Sequence, residues 1–123
     1  MKAFFVGPEK TGSSWIHRLL KHRGDVVLPK TVKELFFFDR YFENGINWYQ
    51  NQFSGDISEA VDVAPSYFKE TAVPTRIKQH FPDSEIIVTL RSPVERTLSM
   101  YQHLIANGWT TLPFSKALKI DPH

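Results

Sequence analysis

Apolar positions along this chain follow two periods in turn. Residues 2–6, Lys-Ala-Phe-Phe-Val, form a short apolar run into Gly7, which predicts a buried strand. From Gly12 to His22 the apolar residues Trp15, Ile16, Leu19 and Leu20 recur at helical spacing, and Arg23-Gly24-Asp25 supplies a glycine stop. Residues 26–28 predict a second short strand, closed by Pro29. Residues 34–38 are apolar after Glu34 and read as an extended segment. Residues 45–53 predict a short helix, and residues 60–63 a further strand that Pro65 stops. A helix follows over 71–81, with Pro74 tolerated only in its first turn. Residues 85–90, Glu-Ile-Ile-Val-Thr-Leu, are the clearest buried strand. The last periodic stretch, 94–107, starts beside Pro93 and stops at Asn107-Gly108.

Strands alternating with helices predict an α/β domain over residues 1–123, with a parallel sheet covered by helices. Such sheets bind ligands beyond the carboxyl ends of their strands. Two strand ends carry concentrated polar chemistry, one from Gly7 onward and one from Arg91 onward. No internal repeat or low-complexity segment interrupts this order.

Composition narrows the partners. The formal charge is +2, from 15 Lys plus Arg against 13 Asp plus Glu, so a nucleic-acid partner is not expected. A chain without cysteine has no disulfides and no thiolate metal site. His17, His22, His80 and His103 are scattered, with no acidic partner at metal-ligand spacing, so no metal site is expected. The N-terminal apolar run is too short for a signal-peptide core or a membrane span, and a soluble cytoplasmic protein is expected.

The first polar segment is Gly-Pro-Glu-Lys-Thr-Gly-Ser-Ser-Trp, residues 7–15, between a strand and a helix. Such a turn aims backbone N–H groups and the positive helix end into one space, which suits a phosphate. Lys10 adds charge, and Thr11, Ser13 and Ser14 add hydroxyl donors. Gly7 and Gly12 keep the Walker A spacing, yet Ser13 stands where Walker A places lysine, and Lys10 precedes the second glycine. That displacement argues against ordinary ATP hydrolysis. An ordinary strand-to-helix connection with an exposed lysine is the competing reading.

The second segment is Val-Thr-Leu-Arg-Ser-Pro-Val-Glu-Arg-Thr-Leu-Ser-Met-Tyr, residues 88–101. Arg91 ends the strand, and Ser99 lies about two helical turns on. A guanidinium fork with a nearby hydroxyl can hold a phosphate. Glu95 and Arg96 read as a solvated pair. A strand-capping arginine and a serine facing a neighbouring helix explain the same residues.

Taken together, the two segments resemble the sulfotransferase family that uses 3′-phosphoadenosine 5′-phosphosulfate (PAPS). Lys10, Thr11, Gly12, Ser13, Ser14 and Trp15 match that family's 5′-phosphosulfate loop, and Arg91 and Ser99 match its 3′-phosphate site. The likeness is nearest to the heparan-sulfate-type and related bacterial branch. Lys33-Glu34-Leu35-Phe36-Phe37-Phe38-Asp39, the Tyr41-Phe42 to Tyr49 stretch and Ala64-Pro65-Ser66-Tyr67-Phe68 are similar to segments of that branch.

The resemblance implies a P-loop-containing three-layer α/β/α fold with a central parallel sheet of four to five strands. It implies metal-independent transfer of a sulfuryl group to a hydroxyl or amine of a small-molecule or carbohydrate acceptor, with 3′,5′-ADP as product. Glu34 would be the general base and Lys10 would stabilise charge on the leaving bridging oxygen. Residues Thr11 to Trp15 would hold the 5′ end, and Arg91 with Ser99 the 3′-phosphate. Val63 departs from the branch, which often has lysine there; Asp62 keeps the preceding acidic place. Family members also need a longer chain, so the expectation is the N-terminal part of the full domain. A P-loop small-molecule kinase using ATP and Mg²⁺, and an inactive nucleotide-binding fragment, are the alternatives. Among other aromatics, Trp15, Trp48 and Tyr49 are expected to pack, Phe36 to Phe38 to form a buried strand or line an acceptor cleft, and Trp109 and Phe114 to be exposed.

Overall fold

A computed structural model describes residues 1–119; the last four residues of the expected 1–123 domain lie outside the described residues. The N-terminal apolar run becomes β1 (Ala3–Val6), the middle strand of a parallel sheet ordered β2–β1–β3. β2 is Val61–Val63 and β3 is Glu85–Val88. Ala3 stands opposite Val61 and Glu85, and Phe5 opposite Val63 and Ile87.

Alternation along the strands sends neighbouring side chains to opposite faces. On one face Ala3, Val61 and Val63 pack with Ile16 and Leu20 of helix α1 (Ser13–Arg23) and with Val26 and Leu28. Phe4 turns to the other face and joins Phe37, Phe38, Tyr49, Val73 and Ile77. Those last three residues come from α2 (Ile46–Gln50) and α3 (Val73–His80). Gly24 ends α1 as the sequence predicts, in the left-handed conformation with its N–H on Leu20 O.

The described residues depart from several expectations. Among the described residues the sheet has three strands, where four to five are implied by the resemblance. Residues 26–28 form no strand: only Val27 bridges Ala60 in parallel, and Pro29 has no N–H with which to continue a ladder. β3 is not buried. Among the described residues it pairs with β1 alone, and Leu90 just beyond it is 74% exposed. Trp15 does not pack α1 onto the sheet; Ile16 and Leu20 occupy that stripe, and Trp15, about 100° round the helix, is 60% exposed.

Residues 34–38 are not a strand either. Phe36 adopts φ +53°, and its carbonyl accepts from both Arg40 N (2.9 Å) and Tyr41 N (3.0 Å). A strand would send Phe37 and Phe38 to opposite faces, whereas this tight reversal buries both completely in one core. Phe37 stacks on Tyr49 with centroids 4.8 Å apart, and Phe38 meets Phe4 edge-on at 5.6 Å. Tyr49 is therefore a core residue, as expected. Arg76 clamps the reversal: its guanidinium donates to Phe38 O at 2.7 Å and lies 4.4 Å from the centre of the Phe42 ring. Arg76→Met is expected to lower the unfolding free energy by about 1.5–3 kcal/mol, the scale of a charged hydrogen bond, in urea titrations.

Residues Met1–Leu90 and Arg91–His123 form two compact units. The second is built on α4 (Pro93–Ala106) and α5 (Phe114–Ala117). Within it Tyr101 donates to Leu112 O (2.9 Å) and meets the Phe114 ring at 5.0 Å, which leaves Phe114 half-buried. Trp109 is exposed, as expected, and stands edge-on to His103. No helix among the described residues is long and apolar enough to cross a membrane.

Candidate anion-binding and transfer site

The chain leaves β1 over the end of β3, and only glycine fits the crossing. Gly7 has φ +145°, and a Cβ there would lie 2.4 Å from Thr89 O and 2.8 Å from Thr89 Oγ1. Thr89 N donates to Val6 O at 3.0 Å, so the two strand ends are tied together. Thr11 Oγ1 donates to Pro8 O (2.8 Å), which leaves Thr89 as the donor in the 2.9 Å contact between the two threonine hydroxyls. The loop is thus closed on itself and fastened to β3. Lys10 at φ +69° and Gly12 at φ +96° complete the turn into α1.

Gly12 accepts from Trp15 N (2.9 Å) and Ile16 N (3.0 Å) and is the helix N-cap. It has no side chain with which to satisfy first-turn amides, and the first turn of α1 contains no acid. The positive end of an 11-residue helix is therefore not neutralised by its own first turn. This is the arrangement in which a phosphate or sulfate group binds.

Lys33 and Glu34 come from the segment before the Phe36 reversal and diverge. Lys33 Nζ donates to Ser13 Oγ at 2.9 Å and to Ser14 Oγ at 3.4 Å. Desolvation holds its ammonium pKa below the usual lysine value; Glu34 opposes this and Lys10 adds to it. His17, on α1, is also lowered, first by desolvation and then by Lys33 and Lys21. Glu34 Oε1 instead accepts from the backbone N–H of Ser66 at 3.2 Å, in the short 3-10 segment Pro65–Lys69 that follows β2. Lys10, Thr11, Gly12, Ser13, Ser14 and Trp15 form the loop and the start of α1, with Lys33 bonded to them. Glu34 is held at the neighbouring strand end.

Beneath Glu34 lies a buried acid. Asp62 stands opposite Phe4 in β2 and is fully buried. Its Oδ2 accepts from Tyr49 OH (2.9 Å) and Tyr67 OH (3.1 Å), while Oδ1 has no hydrogen-bond partner. Tyr67 OH also accepts from Phe38 N at 3.5 Å, which links the acid to the Phe36 reversal. Burial raises the Asp62 pKa to about 7; the two tyrosine bonds oppose the rise, and Glu34 and Asp39 add to it. Burial, then Asp62, pushes both tyrosine hydroxyls above their ordinary value. Val63 faces away, packed with Ala3 and Val61 under α1, so its position contributes apolar packing.

The sequence reading missed Lys33 and the Asp62–Tyr49–Tyr67 cluster. An acid between two valines in a predicted strand was the available signal for the latter. Lys33 had no local signal, because its partners lie 19 and 20 residues earlier.

Arg91 and Ser99 belong to the second unit. Arg91 Nε lies 3.4 Å from Glu95 Oε2, an i,i+4 ion pair at the start of α4. The expected Glu95–Arg96 pair is replaced by this one, because adjacent helical residues do not face each other. Ser99 is half-buried, midway along α4.

A glycine-bounded loop between strand and helix, flanked by lysines at the carboxyl edge of a parallel sheet, defines an α/β protein of the P-loop-like class. Comparison with known proteins gives the family: residues 1–118 match the sulfotransferase domain, and the chain belongs to that family. It is 34% identical over 116 residues to the human bifunctional heparan sulfate N-deacetylase/N-sulfotransferase 2, covering 87% of this chain and 13% of that protein. Human heparan sulfate glucosamine 3-O-sulfotransferase 6 is 32% identical over 119 residues, covering 95% of this chain and 34% of that protein. A Drosophila melanogaster bifunctional heparan sulfate N-deacetylase/N-sulfotransferase is 28% identical over 127 residues, with 87% and 12% covered. The chain thus spans about an eighth to a third of the length of these relatives.

Proposed function

We propose that this chain is the cofactor-binding, N-terminal part of a metal-independent sulfotransferase. It would use PAPS to sulfate a hydroxyl or amine on a carbohydrate or small-molecule acceptor. Family membership and the names of the relatives support the reaction class. The single observation that carries the cofactor reading is the loop of residues 7–13. There Gly7 is pressed against Thr89, Lys10 and Gly12 take positive φ, and α1 begins without a side-chain cap. These residues fit a phosphosulfate group.

When bound, the cofactor supplies an activated sulfuryl group. The chain's own residues supply binding and proton handling. Thr11 to Trp15 hold the 5′ end, and Lys10 stabilises negative charge developing on the leaving oxygen. Glu34 accepts the proton of the attacking hydroxyl or amine. The Ser66 N–H fixes its Oε1, so the carboxylate is oriented before the acceptor arrives. Arg91 and Ser99 would hold the 3′-phosphate through a guanidinium fork and a hydroxyl. A sheet of four or five strands and a cytoplasmic location belong to the same reading.

Calorimetric titration with 3′,5′-ADP and with 5′-AMP tests this. We expect 3′,5′-ADP to bind more tightly, with no need for Mg²⁺. Arg91→Ala should weaken 3′,5′-ADP by roughly 1.5–3 kcal/mol and leave 5′-AMP unchanged. Equal affinities for the two nucleotides would refute the 3′-phosphate assignment, and a requirement for Mg²⁺ would favour a kinase instead.

A further inference from the structure

Lys33 is an ammonium group in an unfavourable place. It is half-buried, it bonds to two neutral hydroxyls, and its nearest carboxylate in sequence, Glu34, is committed to Ser66 N. Desolvation disfavours its charge, the neighbouring Glu34 carboxylate opposes that, and a second ammonium, Lys10, adds to it. A lysine serving only to tie α1 to the segment before the Phe36 reversal gains little from full charge in such surroundings. The position makes sense if an anion completes it.

The direction of its hydrogen bonds says where that anion sits. An ammonium only donates. Ser13 Oγ and Ser14 Oγ must therefore accept from Lys33, and each keeps its own proton to donate elsewhere. Both serines lie in the first turn of α1, where the helix end is positive. An ammonium, two hydroxyls that keep a proton to donate and a helix N-terminus thus lie side by side.

We propose that Lys33 is a second cation of the loop of residues 7–14, orienting the Ser13 and Ser14 hydroxyls and adding its charge toward the anionic 5′ group of the bound nucleotide. The proposal rests on the PAPS reading and gives that site a residue the loop motif does not contain. Lys33 discriminates by ligand: it acts on a nucleotide with a 5′-phosphate or 5′-phosphosulfate and is indifferent to one without.

Titration of wild type, Lys33→Ala and Lys33→Arg with 3′,5′-ADP and with adenosine 3′-phosphate tests this directly. Lys33→Ala should bind 3′,5′-ADP at least about tenfold more weakly, the equivalent of one charged hydrogen bond, and adenosine 3′-phosphate as wild type does. Lys33→Arg, which keeps charge and donors, should recover most of the loss. A Lys33→Ala chain that binds 3′,5′-ADP as tightly as wild type overturns the proposal, and so does an equal loss on both ligands. Wild type that binds no 3′,5′-ADP would bring down the nucleotide reading itself, a different result from a silent substitution.

Discussion

Gly7→Ala is expected to lower the unfolding free energy by about 2–5 kcal/mol, combining backbone strain with overpacking. Two separate effects act there. At φ +145° an L side chain is strained wherever it stands. The new methyl would also be 2.4 Å from Thr89 O, a backbone atom that cannot swing aside. Gly12→Ala is the control. Its φ is +96°, but a Cβ there meets nothing within 4 Å, so only conformational strain remains, about 1–2 kcal/mol. Urea unfolding of the two variants separates the effects. If Gly7→Ala loses no more than Gly12→Ala, close approach to Thr89 is not what shapes the loop. Nucleotide affinity should fall with stability in Gly7→Ala, because displacing Thr89 also moves the partner of Thr11.

Asp62 should make stability depend on pH in an unusual direction. Most native carboxylates are held below their ordinary pKa and lose stabilisation in acid. Asp62 is held above, at about 7 against 3.8, because burial disfavours its charge. Between these values the native protein binds one more proton than the unfolded chain. The stabilisation from this group is therefore full below about pH 4 and is lost as pH rises through about 7. The gap converts to about 4 kcal/mol. Asp62→Asn cannot titrate and still accepts from the two tyrosines. The wild-type minus Asp62→Asn difference in unfolding free energy should fall by about that amount from pH 4 to pH 8. Parallel curves would show that the buried acid does not titrate in this window.

The same acid bears on the site through its neighbours. Tyr67 joins Asp62 to the backbone of Phe38, and the segment Pro65–Lys69 that contains Tyr67 also holds Glu34 through Ser66 N. The general base of the proposed reaction is therefore seated on the Asp62 cluster, and Arg76 pins the same reversal at Phe38 O.

Local pattern was a good guide wherever one element sufficed. The apolar run into Gly7, the helix stopped by Gly24, Pro74 in the first turn of α3 and the helix beside Pro93 all stand within a few residues of their predicted places. The strand-to-helix loop of residues 7–13 was also readable, because strand, glycines, lysine and hydroxyls are consecutive. Burial and pairing were not readable in this way. Residues 85–90 have the composition of a buried strand, yet among the described residues β3 pairs with β1 alone, and exposure depends on how many neighbours a strand has. Residues 34–38 look extended, yet two consecutive phenylalanines enter one core through a reversal that only their long-range contacts make favourable.

For the loop of residues 7–13, then, sequence was enough to read strand, turn and helix start, because its glycines and polar residues are consecutive. Tertiary structure decided what surrounds it. Lys33 reaches Ser13 across 20 residues, Thr89 meets Thr11 across 78, and Tyr49 finds Asp62 across 13. Contacts of that separation depend on sheet register and on where the chain reverses, and neither leaves a periodic trace in the residues themselves.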